Sequence, residues 1–554
     1  MPEGEITHPT AFEMAARQRE ISVSEFFLKN RHLLGFDSLT KAVVTTVREA
    51  VDNALDACEE AGILPEILVE ITDRGDSLLV ALEDNGPGIV EGQIGRIFGK
   101  LLYGSKFHKL SQSRGQQGMG ISAAGMYGQL TTGKPMHIVS RVAGEERASE
   151  LHVSIDTTRN RPDIHRKRHV DWDRPHGTRV EVEIEGRYQH GPHSVESYLK
   201  QTAIANPHVT LILRDPGGAE TRFERSMRKL PPAPVEIRPH PHGVELGRLI
   251  QMLSDTHAGT LLNFLEREFS RVGRKTALAI IERAGSGLSA RSYPTRIAHA
   301  QATRLYRAIS RTRISGPRTD CLVPIGEQRL LEGLRKEVDA AFYTVVTRRP
   351  AVYRGNPFQV EFALAYGRPG EAGLEAEEPG KIVRRPGGDH KQTGESDELV
   401  GRAGEPVRLL RFANRVPLLY QQSACAISRA VAQTNWRGYG LQQPKGGLPL
   451  APMAVLVHVA SVWVPFTSES KEAVAGYPEI LRELKLGLQE CGRRLAKYLR
   501  REKALRREFE QRSRIETYLP HIGLALQEIL EIGDAERDRT VAALDAALHR
   551  HRKS

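Results

Sequence analysis

The sequence predicts a multidomain α+β protein. Three observations carry this. A helix followed by mixed strands fills the first 230 residues, a basic and mostly helical stretch occupies 235–312, and strands return from about 320 before a long amphipathic helix. At 554 residues the chain has room for about three or four domains of ~100–200 residues each.

The first helix is read at 41–60, where residues 43, 44, 47, 51, 54, 55 and 58 are apolar and repeat at helical spacing. Pro65 to Asp84 reads as a β-hairpin: Ile67, Val69 and Ile71 alternate with polar residues, and Asp73–Asp76 makes the turn. Strands follow at His137–Val142, Leu151–Ile155 and Thr178–Ile184, and the domain closes at the prolines of 231–234. Further on, strands are expected at Gln359–Ala365, Arg408–Phe412 and Ala454–Val464. Helices are expected from about Pro478 to Phe509 and over about 515–550. The stretch 367–407 holds nine glycines and almost no large apolar residue, so it reads as a mobile insertion.

Composition narrows the class. The longest apolar run, Met453 to Phe466, contains His458 and is shorter than the ~20 residues a membrane helix needs. Cys58, Cys321, Cys425 and Cys491 lie far apart, which excludes a C-x-x-C site and argues against a disulfide scaffold. The chain reads as a large, soluble, intracellular protein with no membrane partner. Its net charge of +11 is uneven. Residues 1–230 carry 29 basic and 32 acidic side chains; 231–554 carry 50 and 36. The segment 271–320 alone has eleven basic residues and two acidic ones. A polyanion partner, if there is one, belongs to the middle and the end of the chain.

Four groups of residues carry the chemistry. On the first helix Glu49, Asn53 and Asp56 share one stripe opposite the apolar face. A carboxylate there can take a proton from water, and a carboxamide oxygen one turn on can ligate Mg²⁺; a solvated polar face has the same pattern. Asp84 ends a strand and is followed by Gly86 and Gly88, so a ligand can approach the backbone and Asp84 can accept from an exocyclic amine. A plain turn also reads this way. Ser105, Lys106 and the run Gly115, Gln116, Gln117, Gly118, Met119, Gly120, Ile121 precede a small-residue helix, a pattern that can cradle phosphate without being a P-loop. His176-Gly177-Thr178 opens a later strand.

In this order and spacing the groups resemble the GHKL ATPase superfamily, with E-x-x-x-N, then D-x-G-x-G, then a Gly-rich lid, then G-T over about 40–180. The resemblance implies ATP bound in an α/β sandwich, Glu49 as general base and Asn53 holding Mg²⁺. It puts Asp84 on the adenine amine with Thr178 beside it, and wraps 115–121 around the triphosphate.

Further strings resemble the B subunits of type IIB topoisomerases: Arg48 to Cys58, Tyr103 to His108, Gly115 to Gly125 and Pro465 to Ala475. That likeness implies five parts: an arm at 1–20, a GHKL domain at 21–230, a helix-two-turns-helix domain at 231–314, a transducer at 315–500 and a C-terminal helical segment at 501–554. It puts Lys471 on the γ-phosphate, and Trp436, Arg437, Tyr439, Arg493 and Arg494 on double-stranded DNA. It also implies ATP-driven self-dimerisation, an A2B2 heterotetramer with a DNA-cleaving A subunit held partly through 501–554, and a cytoplasmic, nucleoid-associated location. Another GHKL clamp, of the mismatch-repair or Hsp90-like kind, is the alternative.

Overall fold

The computed structural model describes residues 11–16, 27, 29–104, 110–115, 119–285, 287–367, 375–377, 381–383, 404–468 and 470–550. Helix α1 (Leu39–Glu60) starts at Ser38, whose side chain accepts from the Lys41 amide and satisfies one of the free N–H groups of the first turn. Its apolar stripe is buried, including Val43, Val47, Val51 and Leu55. β1 (Glu66–Asp73) and β2 (Leu78–Asp84) form the expected hairpin. Asp73 Oδ1 accepts from the Gly75 amide at 2.8 Å, and Gly75 takes a φ of 87°.

α2 (Glu91–Gly99) and α3 (Gly120–Thr132) come next. They are followed by β3 (Met136–Arg141), β4 (Ala148–Asp156), β5 (Arg161–Val170) and β6 (Gly177–Ile184). α4 (Val195–Ala205), β7 (Thr210–Arg214) and β8 (Glu220–Phe223) complete this part. The eight strands make one sheet in the order β5-β4-β3-β6-β2-β1-β7-β8, parallel only between β1 and β7. Helices α1 to α4 pack on one face. The other face carries a network of paired charges, among them Arg179 with Glu70, Glu83 and Glu181. The sequence gives no sign of β5. Arg161, Arg166, Lys167 and Arg168 leave it without apolar alternation, because it is an exposed edge strand.

α5 (Leu246–Asp255), α6 (Leu261–Glu268), α7 (Arg274–Ala284) and α8 (His299–Arg311) enclose their own core around Phe264, Leu265, Ile280 and Leu305. Among the basic residues of this unit, Arg274, Lys275, Arg307, Arg311 and Arg313 are exposed.

α9 (Glu327–Glu337) leads into a second sheet built of β9 (Phe342–Thr347), β10 (Ala351–Tyr353) and β11 (Asn356–Tyr366). After the small pair β12 (Glu375–Glu377) and β13 (Lys381–Val383) come β14 (Arg408–Ala413), β15 (Val416–Pro417) and α10 (Ala426–Gln433). β16 (Met453–Ser461) follows. In this sheet β11 and β14 flank β16. All nine residues of β16 are buried because both faces of the sheet are covered. His458 sits there as a satisfied core residue, 2.9 Å from Glu361 and accepting from the Arg415 amide. Apart from β12 and β13, most of the expected insertion 367–407 lies outside the described residues, as does most of the arm at 1–20.

α11 (Pro478–Leu530) packs its first turns on this sheet through Ile480, Leu484, Leu488 and Leu495. The break expected between 509 and 515 is absent. The helix continues through Pro520, and α12 (Asp534–Arg550) folds back on it with Val541 against Gly523. A helix exposed around most of its circumference can hydrate the carbonyl that a proline leaves without a donor.

Candidate nucleotide site

A cavity of about 600 Å³ opens between α1, the first sheet, the start of α3 and a loop from the second sheet. That volume suits a nucleotide-sized ligand. Glu49, Asn53, Asp84, Gly88, Gly115, Met119, Gly120, Ile121, Thr178 and Lys471 all line it.

At one end Asp84 is buried and its Oδ1 accepts from the Gly86 amide at 2.8 Å. Burial pushes its carboxyl up to about 6, against hydrogen bonds from the backbone of Gly86 and Thr178. Thr178 faces Asp84 across the β2–β6 ladder, and its hydroxyl lies 3.0 Å from that of Ser140. Two glycines are obligatory here. A Cβ on Gly88, with φ 76°, would sit 2.0 Å from the Arg141 carbonyl; one on Gly177, with φ 136°, would sit 2.2 Å from the Asp84 carbonyl. Backbone strands therefore meet tightly around a carboxylate that lines the cavity.

At the other end Glu49 points at the start of α3, where a Cβ on Gly120 would come within 2.1 Å of its Oε2. Arg48 Nη2 donates to Glu49 Oε1 at 2.8 Å. Burial pushes the Glu49 carboxyl up, but Lys471 and then Arg48 outweigh it and hold the group below the ordinary carboxylate range. It is thus ionised at neutral pH and able to accept a proton. Asp52, one turn along α1, is the opposite case: burial, and then Glu49, push it up to about 7. Asn53 is exposed into the cavity, and Gly115 approaches its Oδ1 closely enough that a Cβ would stand 3.8 Å away. A neutral oxygen ligand on an open wall fits Mg²⁺, which keeps waters and phosphate oxygens around it.

Lys471 belongs to the second sheet's unit, on a turn well ahead of α11. Its φ of 54° is unusual for a residue with a side chain. Its Nζ donates to the Arg114 carbonyl at 3.4 Å, and Arg48 Nη1 donates to the Ser470 carbonyl at 3.1 Å. Lys41 pairs with Glu472 at 2.6 Å.

The stripe Glu49, Asn53, Asp56 divides. Asp56 turns away from the cavity to Arg114 at 2.8 Å. Arg114, which nothing in the sequence singles out, is buried. It also bonds Glu59 and Asn206, and it immediately precedes the Gly-rich run. Ser105, Lys106, Gln116, Gln117 and Gly118 lie outside the described residues.

The expected DNA contacts need one correction. The Trp436 ring is fully buried and its N–H donates to the Val431 carbonyl at 2.8 Å, so it is a core anchor and not a surface for DNA. It belongs to the buried apolar cluster that Ile427, Ala430 and Val431 of α10 help to build. Tyr439 is half-buried, edge-on to Trp436 and against Gly492. Arg437 stays exposed with its guanidinium on the Gln443 carbonyl. Arg493 and Arg494 are exposed and both pair with Glu490.

Residues 39–187 match the family described as histidine kinase-, DNA gyrase B- and HSP90-like ATPases, and 317–512 match the transducer of the topoisomerase VI B subunit. The B subunit of type 2 DNA topoisomerase 6 from Archaeoglobus fulgidus is 45% identical over 537 residues, covering 97% of this chain and 84% of that protein. Its counterpart from Methanococcoides burtonii is 46% identical over 525 residues, covering 94% and 79%. The chain belongs to the family of type 2 DNA topoisomerase 6 B subunits. The ATPase match spans α1 to α3 with β1 to β6, and the transducer match spans α9, the second sheet and the first part of α11. The transducer match removes the chaperone and mismatch-repair alternatives. A solved DNA gyrase B chain from Myxococcus xanthus aligns over 85% of this chain and 95% of that one, at 11% identity and a TM-score of 0.40. Among the described residues no helix is long and apolar enough to cross a membrane.

Proposed function

We propose that this chain is the ATP-hydrolysing component of a type 2 DNA topoisomerase, and that the cavity between α1 and the transducer loop is its ATP site. The observation that carries the reading is the placing of Glu49 and Lys471, from two different folds, on the walls of one cavity, with Lys471 and Arg48 together holding the Glu49 carboxyl below the ordinary carboxylate range.

Adenine is taken at the Asp84 end, where the ionised carboxylate accepts from the exocyclic amine and Thr178 lies beside it. The phosphates lie toward Gly115, Gly120 and the N-terminus of α3, where backbone N–H groups favour anions. Asn53 holds Mg²⁺, whose charge would neutralise phosphate oxygens. Glu49 accepts the proton of the attacking water while Lys471 offsets charge on the departing phosphoryl group. Lys471 also donates to the carbonyl just before the Gly-rich run, so the transducer and the lid meet at the same atom.

The relatives' designation as B subunits of a DNA topoisomerase supports an A-type partner and DNA as substrate; the reading extends this to an A2B2 assembly acting on double-stranded DNA at the nucleoid. ATP-dependent pairing of two copies of this chain then gates passage of a duplex. The exposed basic residues of α7, α8 and the following turn, with Arg437, Arg493 and Arg494, supply phosphate contacts. The test is relaxation of supercoiled DNA by the chain together with its A-type partner, with and without ATP. Relaxation that requires ATP and is lost in Glu49→Ala supports the reading; ATP-independent relaxation, or full activity of Glu49→Ala, overturns it.

A further inference from the structure

The outer face of the first sheet carries a cluster that ATP chemistry does not use. His137 on β3 and His152 on β4 are direct cross-strand partners, and Glu150 lies two residues before His152, on the same face. The two rings stack with centroids 4.7 Å apart. His137 Nε2 lies 2.9 Å from Glu150 Oε1, and His152 Nε2 lies 3.9 Å from the same oxygen. All three ligand atoms fall within 4.8 Å of one another. Tetrahedral zinc, with bonds of ~2.0–2.1 Å, spaces its ligands about 3.3 Å apart, which falls inside this range.

A second feature points the same way. His137 Nδ1 lies 2.8 Å from Glu181 Oε2 on β6. A carboxylate behind a histidine fixes its tautomer and aims the other nitrogen, as in metal sites. With Nδ1–H donated to Glu181, Nε2 is the nitrogen aimed at the Glu150 oxygen. In the free chain a second proton on Nε2 satisfies that oxygen; a metal ion takes the proton's place while also engaging His152.

We propose that His137, Glu150 and His152 form a site for a divalent transition-metal ion of the zinc class, with water in the fourth position. Arg168 on β5 is its competitor, since it pairs with both Glu150 oxygens. The metal takes Oε1 and leaves Arg168 on Oε2. Arg179, which pairs with Glu181, and Arg166, opposite His152 across the β4–β5 ladder, add positive charge that weakens affinity. His137 lies three residues before Ser140 on β3 and pairs with Glu181, so the site is on the opposite face of the sheet from Ser140 and the cavity-lining Thr178. Bound metal would tie β3 to β4 directly and β6 through Glu181. The proposal does not depend on the ATPase reading.

The test titrates the full chain with Zn²⁺ by calorimetry and with Co²⁺ by visible absorption, where a tetrahedral site gives an intense band. One equivalent should bind with that band. His137→Gln and His152→Gln should each abolish it, with thermal melting in chelator confirming that both variants fold. Arg168→Ala should tighten binding several-fold by releasing Glu150. Absence of the tetrahedral band, its survival in either histidine variant, or unchanged affinity in Arg168→Ala overturns the proposal.

Discussion

At the Asp84 end of the cavity, the contributing residues belong to one sheet and the loop that leaves it: Asp84 on β2, Gly88 just after it and Thr178 on the adjacent β6, with Ser140 of β3 behind Thr178. At the Glu49 end, the parts come from separate folds. Glu49 and Asn53 ride on α1, Gly115 follows the buried Arg114, and Lys471 arrives from the transducer. The bond from Arg48 to the Ser470 carbonyl joins residues 422 apart in sequence. The first end is fixed by a ladder and by glycines with no room for a side chain. The second end is complete only while two domains are docked. On the proposed reading, recognition of the base stays constant through a cycle, whereas hydrolysis answers to the position of the transducer.

The largest effect should come from Glu49→Ala. Loss of the general base should slow ATP turnover about 10²–10⁴-fold. Calorimetry should show nucleotide affinity little changed, because the Asp84 end is untouched. Lys471→Ala should follow with a fall of about 10²–10³-fold in kcat, the size expected for one removed stabiliser of transition-state charge. Adenosine, which has no phosphate, should bind this variant and the native chain equally well. Different affinities would show that the two ends are not separable.

Asp84→Ala should break the comparison from the other side. It should weaken ATP and ADP alike by about 1.5–3 kcal/mol, the loss of a hydrogen bond to a charged group. The pH dependence has a definite sign. Burial raises the Asp84 carboxyl from 3.8 to about 6, so the native state binds its proton more tightly than the unfolded chain does. Its contribution to the stability of the free chain should fall as pH rises from about 4 to about 6. Nucleotide affinity should move oppositely, rising as the carboxylate forms. Thermal melts across this range, with and without ADP, read both trends. The smallest effect should be that of Asn53→Ala: an affinity loss of about tenfold or less, present with Mg²⁺ and absent in chelator.

The same contrast explains what is legible in the sequence. The β1–β2 hairpin, the buried stripe of α1 and the residues Asp84, Gly86 and Gly88 announce themselves because each depends on neighbours a few positions away. Glu49, Asn53 and Lys471 carry no local mark that separates them from solvated residues, and only the order of the motifs along the chain points to them. Arg114 and Arg48 escape because their burial is created by groups from beyond α4 and from the transducer, with Asn206 and Ser470 as partners. Trp436 misleads for the same reason: the family resemblance puts it on DNA, and only the fold brings the ring under α10, where its N–H meets the Val431 carbonyl. β5 is invisible because an exposed edge strand needs no apolar alternation.

The central claim is that one hydrolytic step is shared between α1 and the transducer. A double-mutant cycle on Glu49→Ala and Lys471→Ala, read by single-turnover phosphate release with enzyme in excess, tests it most directly. Residues that act as a unit are strongly non-additive, so the double variant should be about as slow as Glu49→Ala alone. Losses that simply multiply would contradict the account, because they would mean that Lys471 acts somewhere other than on the step that Glu49 serves.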